Sequence, residues 1–92
     1  MFLEIVTPEA ILFSSEISSL SVPGVNGEFQ MLNNHAPVVS VLKEGVVKIE
    51  SSNFTLNEKY KSKFGNEDGK LTFVINSGTL ELNDNKAIIL AD

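Results

Sequence analysis

Apolar and polar residues alternate along most of the chain, and the alternation predicts strands. From Phe2 to Val6, Leu3 and Ile5 fall on one face while Phe2, Glu4 and Val6 fall on the other. Thr7-Pro8-Glu9 interrupts this strand, because proline cannot donate to a ladder. Ala10 to Ser15 follows, with Ile11 and Phe13 paired by alternation, then Glu16 to Val22 through Ile17, Leu20 and Val22. Ser14, Ser15, Ser18, Ser19 and Ser21 make that pair polar on a solvated outer side. Later come Glu28 to Leu32 with Phe29 and Met31 on one side, Val38 to Leu42, and Val46 to Glu50 with Val47 and Ile49 inward. Lys70 to Asn76 aligns Leu71, Phe73 and Ile75, Thr79 to Leu82 turns Leu80 and Leu82 inward, and Lys86 to Leu90 forms the last strand. Short strands divided by turn signals indicate an all-β fold, an antiparallel β-sandwich or barrel.

The turns concentrate between Val22 and Pro37, in the run VPGVNGEFQMLNNHAP. Pro23-Gly24 fits the centre of a type II turn, and Asn26-Gly27 fits a type I′ hairpin. Two turns so close make a protruding corner. Asn33-Asn34 is a further turn, and Pro37 biases Ala36 toward extended geometry. Lys43-Glu44-Gly45 reads as a hairpin with glycine in the left-handed position, Ser77-Gly78 as a bulge or kink, and Asn83-Asp84-Asn85 as a turn.

Ser51 to Gly69 is the least strand-like part. Leu56, Tyr60 and Phe64 are spaced four apart, which places them on one helical stripe. With Asn57 as N-cap, Glu58 in the first turn and Gly65 closing the end, the pattern predicts a short helix of about two turns over 57–64. The alternative is a long hairpin whose strands extend through the region. The stripe reads as a packing face on the sandwich.

Composition narrows the classes. Ninety-two residues make a single domain, 1–92, with 42 % hydrophobic and 21 % charged residues, as in globular chains. The net charge of −5 and the absence of arginine among the seven basic residues argue against nucleic acid as a partner. There is no cysteine, so disulfides and thiolate metal sites are excluded. The start carries Glu4, Pro8 and Glu9 where a signal peptide needs a basic and then an apolar segment, and no stretch approaches a membrane span. An intracellular soluble domain without membrane insertion is the expectation. Asn53-Phe54-Thr55 matches a glycosylation sequon, which carries no weight without a secretory signal.

Catalysis needs a nucleophile, a base and an orienter that converge. One histidine, no cysteine and no arginine leave few combinations, and no serine lies in a G-x-S-x-G elbow. Gly24 to Gly27 lacks the spacing of a phosphate loop and leads into a strand. Glu67-Asp68 reads as a solvated turn. No catalytic residue, metal or cofactor is therefore expected. His35 reads either as a ring bonded to the backbone of its own turn or as a polar interface contact. Glu28 reads either as a solvated edge carboxylate or as an acidic contact to a basic partner loop. A small-ligand or carbohydrate-binding sandwich is the competing class; it would present an exposed aromatic platform or a pocket.

The run VPGVNGEFQMLNNHAPVVSVLKEGVVKI resembles the epsilon subunit of bacterial F-type ATP synthases. The opening LEIVTPEAILFSSEI is similar to the start of that family, and GTLELNDNKAIILAD to the end of its N-terminal domain. The resemblance implies a flattened β-sandwich of about ten strands at the foot of the rotating central stalk. One side would dock on the gamma subunit, and a lower corner would rest on the polar loops of the c-ring. That places the protein peripherally on the cytoplasmic side of the bacterial plasma membrane, coupling gamma to the ring during proton-driven ATP synthesis. Carried over by position, Val25, Asn26, Gly27, Glu28 and Gln30 would contact the ring, and Thr7, His35 and Ser40 would face gamma. Gln30 and Asn33-Asn34 depart from the family's usual glycine and Pro-Gly, but asparagine also adopts the left-handed conformation. The 51–69 segment reads as an insertion relative to the family. The inhibitory, ATP-binding helical pair of many members is expected to be absent after Asp92.

Overall fold

A computed structural model describes residues 1–52, 54 and 56–92. Ten strands form one curled sheet: β1 Phe2–Val6, β2 Ile11–Glu16, β3 Ser19–Gly24, β4 Gly27–Leu32, β5 Val38–Leu42, β6 Gly45–Glu50, β7 Phe64–Glu67, β8 Lys70–Ile75, β9 Gly78–Asn83 and β10 Lys86–Ala91. The order is β2-β1-β10-β9-β5-β3-β6-β8-β7, with β4 on the other edge of β3. Between β5 and β3 the ladder shrinks to one pair, Gly24 with Leu42. The sheet folds there, so β2-β1-β10-β9-β5 and β4-β3-β6-β8-β7 become facing layers. Leu3, Ile5, Leu80, Leu82 and Ile89 from one layer share a core with Leu20, Val22, Met31, Val47, Ile49 and Phe73 from the other. At the far edges Phe13 of β2 lies 6.1 Å from Phe64 of β7, joining the layers a second time.

The all-β sandwich and its inward residues are those the alternation predicts. The pairing is mixed, because β1 runs parallel to β10 while the other ladders are antiparallel. Parallel neighbours need a long connection, here almost the whole chain, and alternation carries no information about such partners.

Several local expectations are corrected. Pro23-Gly24 is not a turn: both residues belong to β3 and pair with Glu28 and Gly27. The loop is Val25-Asn26, and only Gly27 takes a positive φ, 122°. Lys43-Glu44-Gly45 is not a hairpin, since β5 pairs with β9 and β6 with β8. The segment crosses between layers, and Gly45 is needed because a Cβ there would lie 2.7 Å from the Pro23 Cβ. Ser77-Gly78 is likewise a crossing between β8 and β9 and not a bulge. In β2 a register shift opposite Ile5 and Val6 turns Ile11 outward and buries both Leu12 and Phe13, so Ile11 and Phe13 do not share a face.

A helix forms close to its predicted place, at Glu58–Lys63, with the Asn57 side chain accepting from the Lys59 N–H at 2.9 Å. It is a 3₁₀ helix, shown by the Tyr60 N–H bonded to the Asn57 carbonyl. Its C-cap is Phe64, and Gly65 belongs to β7. Leu56, Tyr60 and Phe64 pack against the core, as the stripe implies. The 51–69 segment thus supplies both the helix and β7, a strand the pattern does not reveal. The sequon at Asn53-Phe54-Thr55 lies outside the described residues at Asn53 and Thr55.

Candidate interaction surfaces

The β3–β4 hairpin forms the predicted protruding corner. Its tip, Val25-Asn26, is exposed and closed by the Gly24–Gly27 pair. Glu28, one residue below, lies 3.8 Å from the Lys48 ammonium, which is also 4.0 Å from Glu67. Such exposed pairs contribute little to stability, about 1 kcal/mol at most, but they bias where a carboxylate points. Gln30 lies down the strand, donating from Nε2 to the buried Ser19 Oγ at 2.8 Å. Of the five residues expected at the ring, Val25, Asn26 and Gly27 cluster at the tip with Glu28 at its base. Gln30 is tied to the sheet.

The second surface is the outer face of β2-β1-β10-β9-β5. Register places Ile11, Val6, Leu90, Thr79 and Val41 in one row across all five strands. Val41 is 60 % exposed, and Ile11 and Leu90 are also exposed. The adjacent row runs Ser14, Glu4, Ile88, Glu81 and Val39, in which Val39 is 77 % exposed. Four strand spacings make the apolar row about 19 Å wide. Apart from Thr79 the row is apolar, and it clusters exposed apolar side chains that would otherwise stand singly. Reading Val38 to Leu42 alone does not find it: V-V-S-V-L is apolar on both faces, and only the pairing with β9 shows that Val39 and Val41 point out.

Thr7 borders this face. Past the end of β1, it lines a shallow depression that runs along the row with Val6, Leu90, Thr79 and Val41. Its Oγ1 also caps the β1–β2 connection, accepting from the N–H groups of Glu9 and Ala10 at 3.3 and 3.4 Å. His35 sits in the exposed β4–β5 connection at the opposite end, where Pro37 lines a shallow groove with Val39 and Glu81. Ser40 faces elsewhere: it pairs with the buried Leu80 and lines a cleft with the 24–29 hairpin. Thr7 and the His35 segment therefore bracket one face, while Ser40 joins the corner.

The His35 ring bonds the backbone of its own turn, Nδ1 to the Ala36 carbonyl at 2.7 Å. A carbonyl oxygen only accepts, so Nδ1 carries the proton and the neutral ring leaves Nε2 as an acceptor. Nitrogen NMR at alkaline pH is expected to show Nε2 unprotonated; an Nε2–H tautomer would overturn the assignment.

Among the described residues no group of three or more His, Asp or Glu side chains could hold a metal ion, and no helix is long and apolar enough to cross a membrane. Phe13 and Phe73 are buried in the core, with Phe64 5.0 Å from Phe73 and Phe54 6.2 Å from Phe13. Only Phe54 among the described rings is substantially exposed, so no aromatic platform for a carbohydrate is formed there.

The family model "ATP synthase, Delta/Epsilon chain, beta-sandwich domain" matches residues 1–92. The chain is 41 % identical over 90 residues to the ATP synthase epsilon chain of Chlorobaculum tepidum, covering 98 % of this chain and 86 % of that one. It is 39 % identical over 92 residues to the epsilon chain of Campylobacter curvus, covering all of this chain but 60 % of that one. Among solved structures, a chain in the central stalk and c-ring of the Tetrahymena thermophila mitochondrial ATP synthase superposes with a TM-score of 0.74. That match is at 18 % identity and covers 99 % of this chain and 62 % of the other, so it speaks for the fold. Matched along its whole length by the family model and at this identity by epsilon chains, the chain belongs to the ATP synthase delta/epsilon family and corresponds to that family's beta-sandwich domain.

Proposed function

We propose that this domain couples the gamma subunit to the c-ring during proton-driven ATP synthesis, from the cytoplasmic side of the bacterial plasma membrane. The observation that carries the reading is the largely apolar row Ile11–Val6–Leu90–Thr79–Val41, on a face with Thr7 at one end of its strands and the His35 segment at the other. Gamma docks on this face, its apolar side chains covering Val41 and Leu90. The β3–β4 hairpin, on the other side of the fold line, meets the polar loops of the ring through Val25, Asn26, Gly27 and Glu28. A stalk subunit has to hold one partner firmly while following another, and two separate surfaces on one rigid sandwich serve that need. Apolar burial supplies affinity on the gamma side; an acidic corner against basic loops supplies register and specificity. Ser40 and Gln30 belong to the support of the corner in this arrangement.

The test is made in the assembled enzyme. Glu28→Lys reverses the corner's charge and sets a second cation beside Lys48. ATP-driven proton pumping into vesicles is expected to fall by about half or more relative to ATP hydrolysis, since a like-charge contact at an interface costs several kcal/mol. Pumping equal to wild type would remove the ring contact from the reading. Failure of the wild-type domain to co-purify with gamma would remove the other half.

A further inference from the structure

The segment from Asn33 to Pro37 makes no strand pairing and is exposed throughout, yet it is held from outside. The Asn34 N–H donates to Asn85 Oδ1 at 2.8 Å, across 51 residues of chain. Asn33 Oδ1 accepts from the Met1 ammonium, and the His35 N–H reaches back to the Leu32 carbonyl at 3.2 Å. Asn85 is a junction, because its own carbonyl accepts from the Phe2 N–H at 3.0 Å.

The β9–β10 turn does not require that side-chain bond. Asp84 and Asn85 have φ of 50° and 60°, the left-handed pair of a type I′ turn. Glycine at 85 satisfies the same backbone. What asparagine adds is an acceptor aimed at another loop. Asn34, with φ of 64°, is where the chain leaves β4, so the bond sets the direction in which His35, Ala36 and Pro37 depart. An exposed hydrogen bond adds little to global stability. Its effect is local, at the base of the segment bearing the chain's single histidine.

We propose that Asn85 is a positioning residue for the docking face: through the Asn34 amide it fixes the 35–37 segment, so that His35 Nε2 meets a hydrogen-bond donor of the gamma subunit. This rests on the reading of His35 as a gamma contact. It extends that reading by naming the kind of group His35 recognises and the residue that holds it in place.

Asn85→Gly and Asn85→Asp separate the acceptor from the turn, in the full chain with the cognate gamma subunit as probe. Asn85→Gly keeps the turn and loses the acceptor. It is expected to speed exchange of the Asn34 amide about tenfold and to weaken gamma binding about tenfold, with little change in melting temperature. Asn85→Asp keeps an acceptor oxygen at the same place and is expected to restore both. An Asn34 amide that exchanges no faster in Asn85→Gly overturns the proposal. So does faster exchange with wild-type affinity, or a failure of Asn85→Asp to rescue. His35→Ala run in parallel distinguishes the levels. If it weakens binding while Asn85→Gly does not, only the positioning role falls. If His35→Ala binds as wild type, the His35 contact falls and the positioning role with it.

Discussion

Val41→Asp is expected to weaken association with the gamma subunit by at least about 30-fold, about 2 kcal/mol, while the isolated domain stays folded. Val41 is 60 % exposed in the free domain and sits in the apolar row beside Thr79 and Leu90. Removing its methyl groups loses apolar burial in the complex. The larger cost is the carboxylate, which an apolar partner cannot solvate when it closes over the row. In the free domain that carboxylate stays in water, so stability should change by no more than about 1 kcal/mol, the span of strand propensities. Val74 provides the control. It is 67 % exposed but projects from β8, on the other layer, paired with Val46. Val74→Asp should leave gamma binding within about twofold, because surface changes away from an interface stay within about 0.5 kcal/mol. Calorimetric titration of gamma with the two variants decides the matter. Equal weakening by both, or none by Val41→Asp, would place the docking face elsewhere.

Leu80→Ala is expected to have the largest effect on stability. Leu80 is fully buried, pairing with Ile89 of β10 on one side and Ser40 of β5 on the other. Truncation loses the transfer free energy of the side chain and leaves a cavity that a two-layer sandwich can only partly close, at about 2–5 kcal/mol. Total stability for a domain of this size is on the order of 5–15 kcal/mol. The loss therefore consumes a large part of it, and the urea midpoint should fall by roughly 2 M. Val39→Ala, one position away on the outer side of β5, should cost under about 1 kcal/mol, since Val39 is 77 % exposed. A Leu80→Ala midpoint within about 0.5 M of wild type would contradict the packing described above.

The two variants use opposite faces of the same layer, and this bears on how much the sequence could say. Leu80 and Leu82 alternate with Thr79, Glu81 and Asn83, so β9 declares its inward face without help. β6 and β8 do the same over most of their length. β5 does not, because valines stand on both of its faces. Pro23-Gly24 and Gly45 also read as turn residues from their identity alone. In the structure Gly45 is set by the approach of Pro23 from another strand, a long-range contact that local signals do not encode. The same limit hid β7: Phe64–Glu67 shows no alternation and is a strand only because β8 lies beside it.

Among the expected contact residues, the corner at Val25 to Glu28 was legible because clustered Pro, Asn and Gly mark a reversal locally, although the two loop residues are Val25-Asn26 and not Asn26-Gly27. Thr7 and His35 stand out in the sequence only through the family resemblance, and their placement at the two strand ends of one face depends on the β1–β10 and β5–β9 pairings. Ser40 shows the cost of lacking that information: one residue's difference in parity moves it from the outer face to the inner side.

By itself, then, the sequence determined the class of fold, most of the core and the hairpin corner, because period-two alternation and turn chemistry act within a few residues. The tertiary structure decided the parallel β1–β10 pair, the fold line at Gly24 and Leu42, the apolar row across five strands and the Asn34–Asn85 clasp. Each of these joins residues far apart in the chain, and only the closing of the sheet brings them into contact.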